Sequence, residues 1–139
     1  MLLKGSCHCG NIRFELNWQP EPTEIPARAC TCSFCRKHGG VWTACHDGSL
    51  VVLTREPDQV SRYAFETKTA DFHICKRCGA VPVVTSEIDG RIYAVVNVNA
   101  FDDVDPSLLR SAEVSFNGEE EANRLTRRAK NWIASVELR

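Results

Sequence analysis

Seven of the eight cysteines in this chain fall into three short motifs, and this grouping is the strongest constraint on what the chain can fold into. Cys30, Cys32 and Cys35 form a Cys-x-Cys-x-x-Cys pattern whose three sulfurs can turn toward one point. A structural zinc ion takes four protein ligands, whereas a catalytic one commonly takes three and leaves a position for water or substrate. The triplet therefore predicts a metal site with an open position.

Two cysteine pairs lie on either side of the triplet. Cys7 and Cys9 form a Cys-x-Cys motif, and Cys75 and Cys78 form a Cys-x-x-Cys motif that a glycine follows. Together they supply four thiolates, the closed tetrahedral set of a structural zinc ion. Such an ion would tie an early strand to a late one and add its binding free energy to folding. We therefore predict two zinc ions per chain.

A fourth side chain from elsewhere would close the triplet into a second structural site. Cys45 is the main alternative ligand, and His38, His46 or His73 could also serve. Cys45 lies among alternating strand residues, where a single cysteine more often behaves as a small buried apolar side chain. The interpretation we favour keeps the triplet open.

Length and composition favour an ordinary folded protein. The 139 residues fit one domain, predicted to span residues 1–139, and 43% of them are hydrophobic. A net charge of −1 gives no basis for expecting a nucleic-acid partner. No apolar run approaches the roughly 20 residues that cross a membrane, and the N-terminus has no signal core. We expect a cytoplasmic protein, where cysteines bind metal more often than they form disulfides.

Alternating apolar residues predict a mainly β fold. Residues 12–18 alternate apolar and polar side chains, which indicates a strand with one buried face. Asp47–Gly48 and Asp89–Gly90 each predict a hairpin turn between two strands. Residues 19–26, which contain three prolines, are predicted to be a loop.

Helices are predicted at three places. The residues after Cys32 can form about one helical turn closed by Gly39 and Gly40. Asp105 and the following proline predict a short capped helix. Residues 119–136 have apolar side chains at helical spacing. Their basic residues are expected to be a solvated face paired with the acidic run before them: Arg124, Arg127, Arg128 and Lys130.

Three stretches resemble the glutathione-dependent formaldehyde-activating enzymes, a family grouped with centromere protein V. They are GSCHCGNIRFE at residues 5–15, CTCSFCRKHGG at 30–40 and ICKRCGAVP at 74–82, with a weaker match in NAFDDVDP at 99–106. The resemblance implies a β-tent of antiparallel sheets with zinc-binding knuckles and two zinc ions. Members commonly carry a His-Ile pair and an aromatic residue in the segment where this chain has AEVSFN at 112–117.

The resemblance also assigns roles to the cysteines. The positions that match Cys7, Cys9, Cys75 and Cys78 hold the structural ion, and those that match Cys30, Cys32 and Cys35 hold the catalytic one. The family's named reaction is condensation of formaldehyde with glutathione to S-hydroxymethylglutathione, the reverse of a carbon-sulfur lyase reaction. The same split follows from counting ligands in the motifs.

Two functions are compatible with these features. The leading prediction is a zinc-dependent carbon-sulfur lyase-type enzyme that joins a small thiol, glutathione or similar, to formaldehyde or another small aldehyde, or catalyses the reverse. A metal lowers the pKa of a bound thiol, and the resulting thiolate is a good nucleophile. The alternative is a non-catalytic, zinc-stabilised binding module in which both metal sites are structural.

Substrate contacts are left open by the sequence. The basic residues that follow the triplet either pair with a substrate carboxylate or are simply exposed: Arg36, Lys37 and His38. Three aromatic residues either form walls of the pocket or belong to the core: Phe34, Trp42 and Phe101.

Overall fold

Strands dominate the regular structure, as the alternating sequence predicts. The computed structural model describes all 139 residues. The strands are Leu2–Ser6 (β1), Ile12–Asn17 (β2), Ile25–Cys30 (β3), Val41–Thr43 (β4), Ser49–Thr54 (β5), Val60–Tyr63 (β6), Asp71–Cys75 (β7), Val83–Ile88 (β8), Arg91–Asn97 (β9), Phe101–Asp102 (β10), Leu109–Val114 (β11) and Ser135–Leu138 (β12). The α-helices are Ser33–His38 (α1) and Glu121–Asn131 (α2), with 3-10 turns at Pro57–Gln59, Val98–Ala100 and Pro106–Leu108. No helix has both the length and the apolar character needed to cross a membrane.

The strands form two sheets. The first has five strands in the order β10-β1-β2-β5-β12, and the second has seven in the order β11-β3-β4-β9-β8-β7-β6. Every pairing is antiparallel except two at sheet edges, where β11 runs parallel to β3 and β12 runs parallel to β5. The predicted mainly β fold with antiparallel sheets and a C-terminal helix is confirmed.

The larger apolar core joins residues of both sheets. Phe14 and Leu16 of β2 lie in one cluster with Val83 of β8 and Val96 of β9, and none of these side chains is more than 1% exposed. Each fully buried side chain of this size stabilises the fold by roughly 1.5–3 kcal/mol. The alternation predicted for β2 thus produces the interface between the sheets.

A smaller apolar cluster lies on the opposite face of the second sheet. Val84 and Val95 follow and precede the core residues of β8 and β9, so their side chains point the other way. They pack with Trp42, Phe72 and Cys35. This outer face also meets α2, and it carries the candidate site.

One of the two predicted hairpins is correct. Ile88 pairs with Arg91 across Asp89–Gly90, which makes β8 and β9 a two-residue hairpin. The prediction at Asp47–Gly48 is wrong, because β4 pairs with β3 and β9 in the second sheet while β5 pairs with β2 and β12 in the first. The turn there takes the chain from one sheet to the other.

Two predicted boundaries are also wrong. The helix predicted to reach residue 136 ends at Asn131, because Ile133 exchanges two backbone hydrogen bonds with Ala94, of 2.9 and 3.1 Å, before β12 joins β5. The loop predicted through residue 26 ends earlier, since β3 begins at Ile25. The short helix at Asp105 is confirmed as a 3-10 turn, with the Asp105 carboxylate accepting from the Ser107 amide at 2.9 Å.

Candidate metal centres and cavity

The first cysteine cluster joins the two sheets. Cys7 and Cys9 lie in the turn between β1 and β2, and Cys75 and Cys78 lie at the end of β7. All four sulfurs lie within 4.8 Å of one another, with Cys9 Sγ 3.8 Å from Cys7 Sγ and 3.5 Å from Cys75 Sγ. Four sulfurs about 2.3 Å from a tetrahedral zinc ion would be separated by about 3.8 Å. The four thiols therefore fit one metal ion.

Both halves of this cluster are tight turns closed by a glycine amide, over four residues in the first pair and five in the second. The Gly10 amide donates to the Cys7 carbonyl at 3.0 Å, and the Gly79 amide donates to the Cys75 carbonyl at 2.8 Å. Both glycines have positive φ, which residues with a side chain adopt at a cost. The Ile12 amide also donates to Cys7 Sγ at 3.2 Å. Each cysteine pair is thus held by its own backbone.

The thiols of this cluster differ in acidity. Burial raises the pKa of Cys7 to about 11. Burial also acts to raise the pKa of Cys78, but hydrogen bonds from the Ala80 and Cys9 amides and from the neighbouring thiols outweigh it and lower the pKa to about 6. One thiolate therefore forms readily near neutral pH, which assists capture of a cation because metal ions bind the deprotonated form.

The second cluster consists of cysteines from three local settings. Cys30 ends β3, Cys32 is the N-cap of α1, and Cys35 lies within that helix. Their sulfurs lie within 4.8 Å of one another. Cys32 Sγ accepts a hydrogen bond from the Cys35 amide at 3.3 Å, and Gly39 ends the helix in the left-handed conformation. The predicted single turn is confirmed, and it brings three sulfurs to one point.

Neighbouring charges and hydrogen bonds make Cys30 far more acidic than Cys35. The hydrogen bond with the Cys35 thiol lowers the pKa of Cys30 to about 6 despite its burial, and the positive charge of Arg127 acts in the same direction. The same hydrogen bond, together with burial, raises the pKa of Cys35 well above its usual range. The cluster is therefore anionic at neutral pH.

Cys45 and His46, two of the alternative fourth ligands, are engaged elsewhere. The Cys45 thiol donates to the Gln19 carbonyl at 3.0 Å within the larger core. His46 Nδ1 lies 2.8 Å from the Trp132 carbonyl oxygen. Neither belongs to the group of three sulfurs.

The other two alternative ligands also lie outside the cluster. His73 is buried, with Nε2 2.7 Å from Thr85 Oγ1, and burial lowers its pKa to about 4. His38 packs against Phe34 and Trp42, with ring centroids 4.5 and 5.9 Å away. Three cysteines thus form the whole cluster, the count expected of an open site.

The three-cysteine cluster opens into a cavity of about 410 Å³. None of the first cluster's cysteines lines this space. Its walls are largely apolar, and five aromatic side chains contribute to them: Trp42, Phe65, Phe72, Phe116 and Trp132. A mostly apolar concave space with a few polar groups is the usual form of a small-molecule site.

Four arginines also line the cavity. The solvated face expected for the α2 arginines is wrong for two of them, although Arg124 and Arg127 do pair with Glu119 of the acidic run. The basic residues of α2 are not a solvated face, since Arg124 and Arg128 are only 8% and 7% exposed. They are four residues apart and so share one side of the helix, which faces the cavity together with Arg127. Arg28 of β3 is the fourth. The four-residue spacing of Arg124 and Arg128 was the feature of the sequence that could have predicted a shared, inward-facing side of the helix.

Two of these arginines are compensated by carboxylates. Arg127 Nε and Nη2 donate to the two Glu119 oxygens, each at 3.1 Å, and its guanidinium lies 3.6 Å from the Phe116 ring centre. Arg124 Nη1 donates to Glu66 Oε2 at 3.1 Å. These pairs anchor α2 over the cavity.

Only some of the residues that the sequence suggested as substrate contacts line the cavity. Arg36 and Lys37 are exposed and do not line the cavity. Trp42 lines it, whereas Phe34 packs beside it in the smaller cluster and Phe101 packs against Phe14 in the larger one. The segment that departs from the family pattern does reach the cavity, through Val114, Phe116 and Asn117.

These features define a class: a two-sheet β protein with two cysteine clusters of metal-binding geometry, one of which lines a ligand-sized cavity. The chain belongs to the glutathione-dependent formaldehyde-activating enzyme family, whose sequence model matches residues 2–117. The residues of α2 and β12 lie beyond that match.

One curated relative carries the family's name, and one solved structure is similar in fold. A Halomonas elongata protein provisionally named a glutathione-dependent formaldehyde-activating enzyme is 36% identical over 87 residues, covering 58% of this chain. The match spans 54% of that relative's length. A crystal structure of a Rhodobacter sphaeroides protein has a TM-score of 0.58 at 29% identity, covering 75% of this chain and 92% of the other.

Proposed function

We propose that this protein is a zinc-dependent carbon-sulfur lyase-type enzyme that joins a small thiol to formaldehyde or another small aldehyde, or catalyses the reverse. The observation that carries the proposal is the three-cysteine cluster, which lines a cavity of about 410 Å³ and includes no fourth ligand-type side chain. Membership of the family and the name of the Halomonas elongata relative support the same chemistry.

Zinc is the metal that suits both donor sets. All seven ligand-type atoms are cysteine sulfurs, those of each cluster within 4.8 Å of one another, and thiolate ligands favour zinc over the oxygen-seeking ions. We propose two ions per chain, a structural one at the four-cysteine cluster and a catalytic one at the triplet. When bound at the triplet, zinc would supply Lewis acidity and lower the pKa of a thiol brought to its free position.

The chain's own residues hold the reactants in place. The triplet lies among aromatic walls, and with substrates bound these would limit the access of water, which would favour addition to the aldehyde over its hydration. In the forward reaction the thiol sulfur forms a bond to the carbonyl carbon, the carbon-oxygen π pair moves to oxygen, and that oxygen takes up the proton released by the thiol. In the reverse reaction the carbon-sulfur bond breaks and the same proton returns.

The proposal also implies a reducing environment. All eight cysteines are unpaired by disulfides, and seven of them serve as ligands in the proposed holoprotein. Disulfides are rare in the cytoplasm, where thiols stay available for metal. We therefore propose a cytoplasmic location.

The test combines metal content with reaction rate. Purified protein should contain two zinc ions per chain by elemental analysis. With thiol and ¹³C-formaldehyde, NMR should show the hydroxymethyl thioether forming faster than without protein. If protein with two zinc ions bound gave the same rate as no protein for every thiol tested, the chain would be a zinc-stabilised binding module and not an enzyme of this kind.

A further inference from the structure

Arg128 is a buried guanidinium without a carboxylate partner. It is 7% exposed, and its Nη1 donates to Thr69 Oγ1 at 2.8 Å and Ser86 Oγ at 3.2 Å. Its Nε is buried without a hydrogen-bond partner, and its guanidinium lies 5.0 Å from the Trp132 ring centre. A buried charge whose only hydrogen-bond partners are hydroxyls is costly, so an anion delivered to this place would be favoured.

Arg28 is a second cation at the same cavity without a carboxylate partner. No salt bridge compensates it, unlike Arg124 and Arg127. Arg28 precedes Cys30 by two residues on β3, so both side chains leave the same face of the strand. Two residues of strand separate their backbone positions by about 7 Å, and both side chains line the same cavity.

The cavity offers no free carboxylate in return. Glu66 is the single acidic residue among those that line it, and its carboxylate accepts from Arg124 Nη1 at 3.1 Å. An ammonium group brought into this cavity would therefore lose its hydration without finding a free carboxylate to pair with, and the anionic sulfur cluster is the place that the substrate's own thiol would occupy. The remaining walls are mainly apolar.

We propose that Arg28 and Arg128 bind a carboxylate of the thiol substrate, and that the preferred substrate is a mercaptocarboxylate with an apolar stem and no ammonium group. This inference rests on the proposed function, because it takes the substrate to be a thiol. Guanidinium groups suit this role, since their planar forks match a carboxylate with two parallel hydrogen bonds. α2, which supplies Arg128, lies outside the part of the chain that the family model matches.

Three small thiols separate these requirements. 3-Mercaptopropionate has the thiol and the carboxylate, free cysteine adds only an ammonium group, and 2-mercaptoethanol replaces the carboxylate with a hydroxyl. Their binding to the zinc-loaded full chain is measured by calorimetry and by fluorescence, which Trp42 and Trp132 in the cavity walls should report. We expect 3-mercaptopropionate to bind roughly 10-fold to 100-fold more tightly than either of the others, the range of a charged hydrogen bond.

Arginine variants identify the groups responsible. Arg128→Met and Arg28→Met should each weaken 3-mercaptopropionate binding roughly 10-fold or more, while changing 2-mercaptoethanol binding little. Each ratio compares one probe on two proteins, so differences in thiol pKa cancel. Arg13→Met removes the same charge from an exposed position on β2 and should leave all three affinities unchanged. Circular dichroism checks that each variant is folded.

The outcomes distinguish this inference from the proposed function. Equal affinity for all three thiols, or an undiminished 3-mercaptopropionate affinity in both folded arginine variants, would overturn the inference even if aldehyde addition is catalysed. Arginine-dependent 3-mercaptopropionate binding without any acceleration of aldehyde addition would support the inference and remove the proposed reaction.

Discussion

Individual thiols in the second cluster differ because their backbone settings differ. Cys30 ends a strand and has its pKa lowered to about 6, while Cys35 is buried within α1 and its pKa is raised. Cys32 caps the helix through its sulfur. The proposed metal site therefore combines a thiolate that forms readily, Cys30, with a buried thiol, Cys35, that metal binding would deprotonate.

Replacement of Cys32 tests whether this cluster is reserved for chemistry. Cys32→Ser keeps an N-cap oxygen that can accept from the Cys35 amide, so the fold should survive. Loss of one of three ligands should remove the second zinc ion and reduce activity by about 100-fold or more. Elemental analysis should find one zinc ion per chain in a protein with the wild-type circular dichroism spectrum.

Cys45→Ser is the matched control for that variant. Cys45 is buried outside both clusters and donates to the Gln19 carbonyl, which a serine hydroxyl can also do. This variant should retain two zinc ions and its activity. Two zinc ions in Cys32→Ser, or one in Cys45→Ser, would show that the ligands have been misassigned.

The elements that form the cavity come from distant parts of the chain. β3 carries Arg28 and Cys30, β11 pairs alongside it in parallel, and α2 covers the space with its arginines. The ion pair between Glu119 and Arg127 fixes the start of α2. The helix therefore depends on a few polar contacts as well as on apolar packing.

Acid should weaken the Glu119 contact in a defined direction. The hydrogen bond from Arg127 lowers the pKa of Glu119 below its usual 4.5. A carboxylate whose pKa folding depresses adds stability above its unfolded pKa, and that stability is lost as pH falls through the folded value. Glu119→Gln should therefore cost about 1 kcal/mol at pH 7, and the difference from wild type should shrink below pH 4.5.

Denaturant unfolding at several pH values provides the measurement. Glu113→Gln is the control, because Glu113 is exposed on β11 and forms no salt bridge in the structure. It should stay within about 0.5 kcal/mol of wild type at each pH. A Glu119→Gln penalty that is absent at pH 7, or unchanged in acid, would contradict the assignment.

The segment after α2 should contribute more to stability than its length implies. Ile133 is 0% exposed and bridges Ala94, so Ile133→Ala leaves a cavity in the core between the sheets. We expect a loss of roughly 2–4 kcal/mol. Leu138→Ala, at a side chain 37% exposed, should cost less than about 1 kcal/mol. If thermal unfolding showed the same loss of stability in Ile133→Ala and Leu138→Ala, this placement of Ile133 would be wrong.

At the scale of the whole molecule, the four-cysteine cluster links the two sheets. Cys7 and Cys9 belong to the first sheet's β1–β2 turn, while Cys75 ends β7 of the second sheet and Cys78 follows it. A structural zinc site contributes roughly 10–16 kcal/mol, comparable to the 5–15 kcal/mol total stability of a typical domain. We propose that residues 1–139 fold as one unit around this ion.

Loss of this ion should therefore unfold the chain rather than loosen one part. Cys78→Ser should abolish the cooperative thermal transition and the near-ultraviolet circular dichroism signal together. Cys32→Ser, which affects only the second cluster, should retain both. A folded Cys78→Ser protein that melts near the wild-type temperature would show that the first cluster does not stabilise the fold.

The cysteine motifs and the alternation of residues 12–18 were readable from the sequence because they are local. Spacing alone brings Cys30, Cys32 and Cys35 to one point, and period two alone gives β2 its buried face. The Asp89–Gly90 hairpin is equally local.

Only the tertiary structure decided which strands share a sheet and what α2 faces. The chain crosses between sheets at Asp47–Gly48, and the helix gives way to strand pairing after Asn131, because long-range backbone hydrogen bonds outweigh local propensity. Whether Arg128 meets solvent or a cavity depends on residues far away in sequence. Local patterns determine turns and ligand spacing, whereas the contents of a cavity depend on contacts between distant segments.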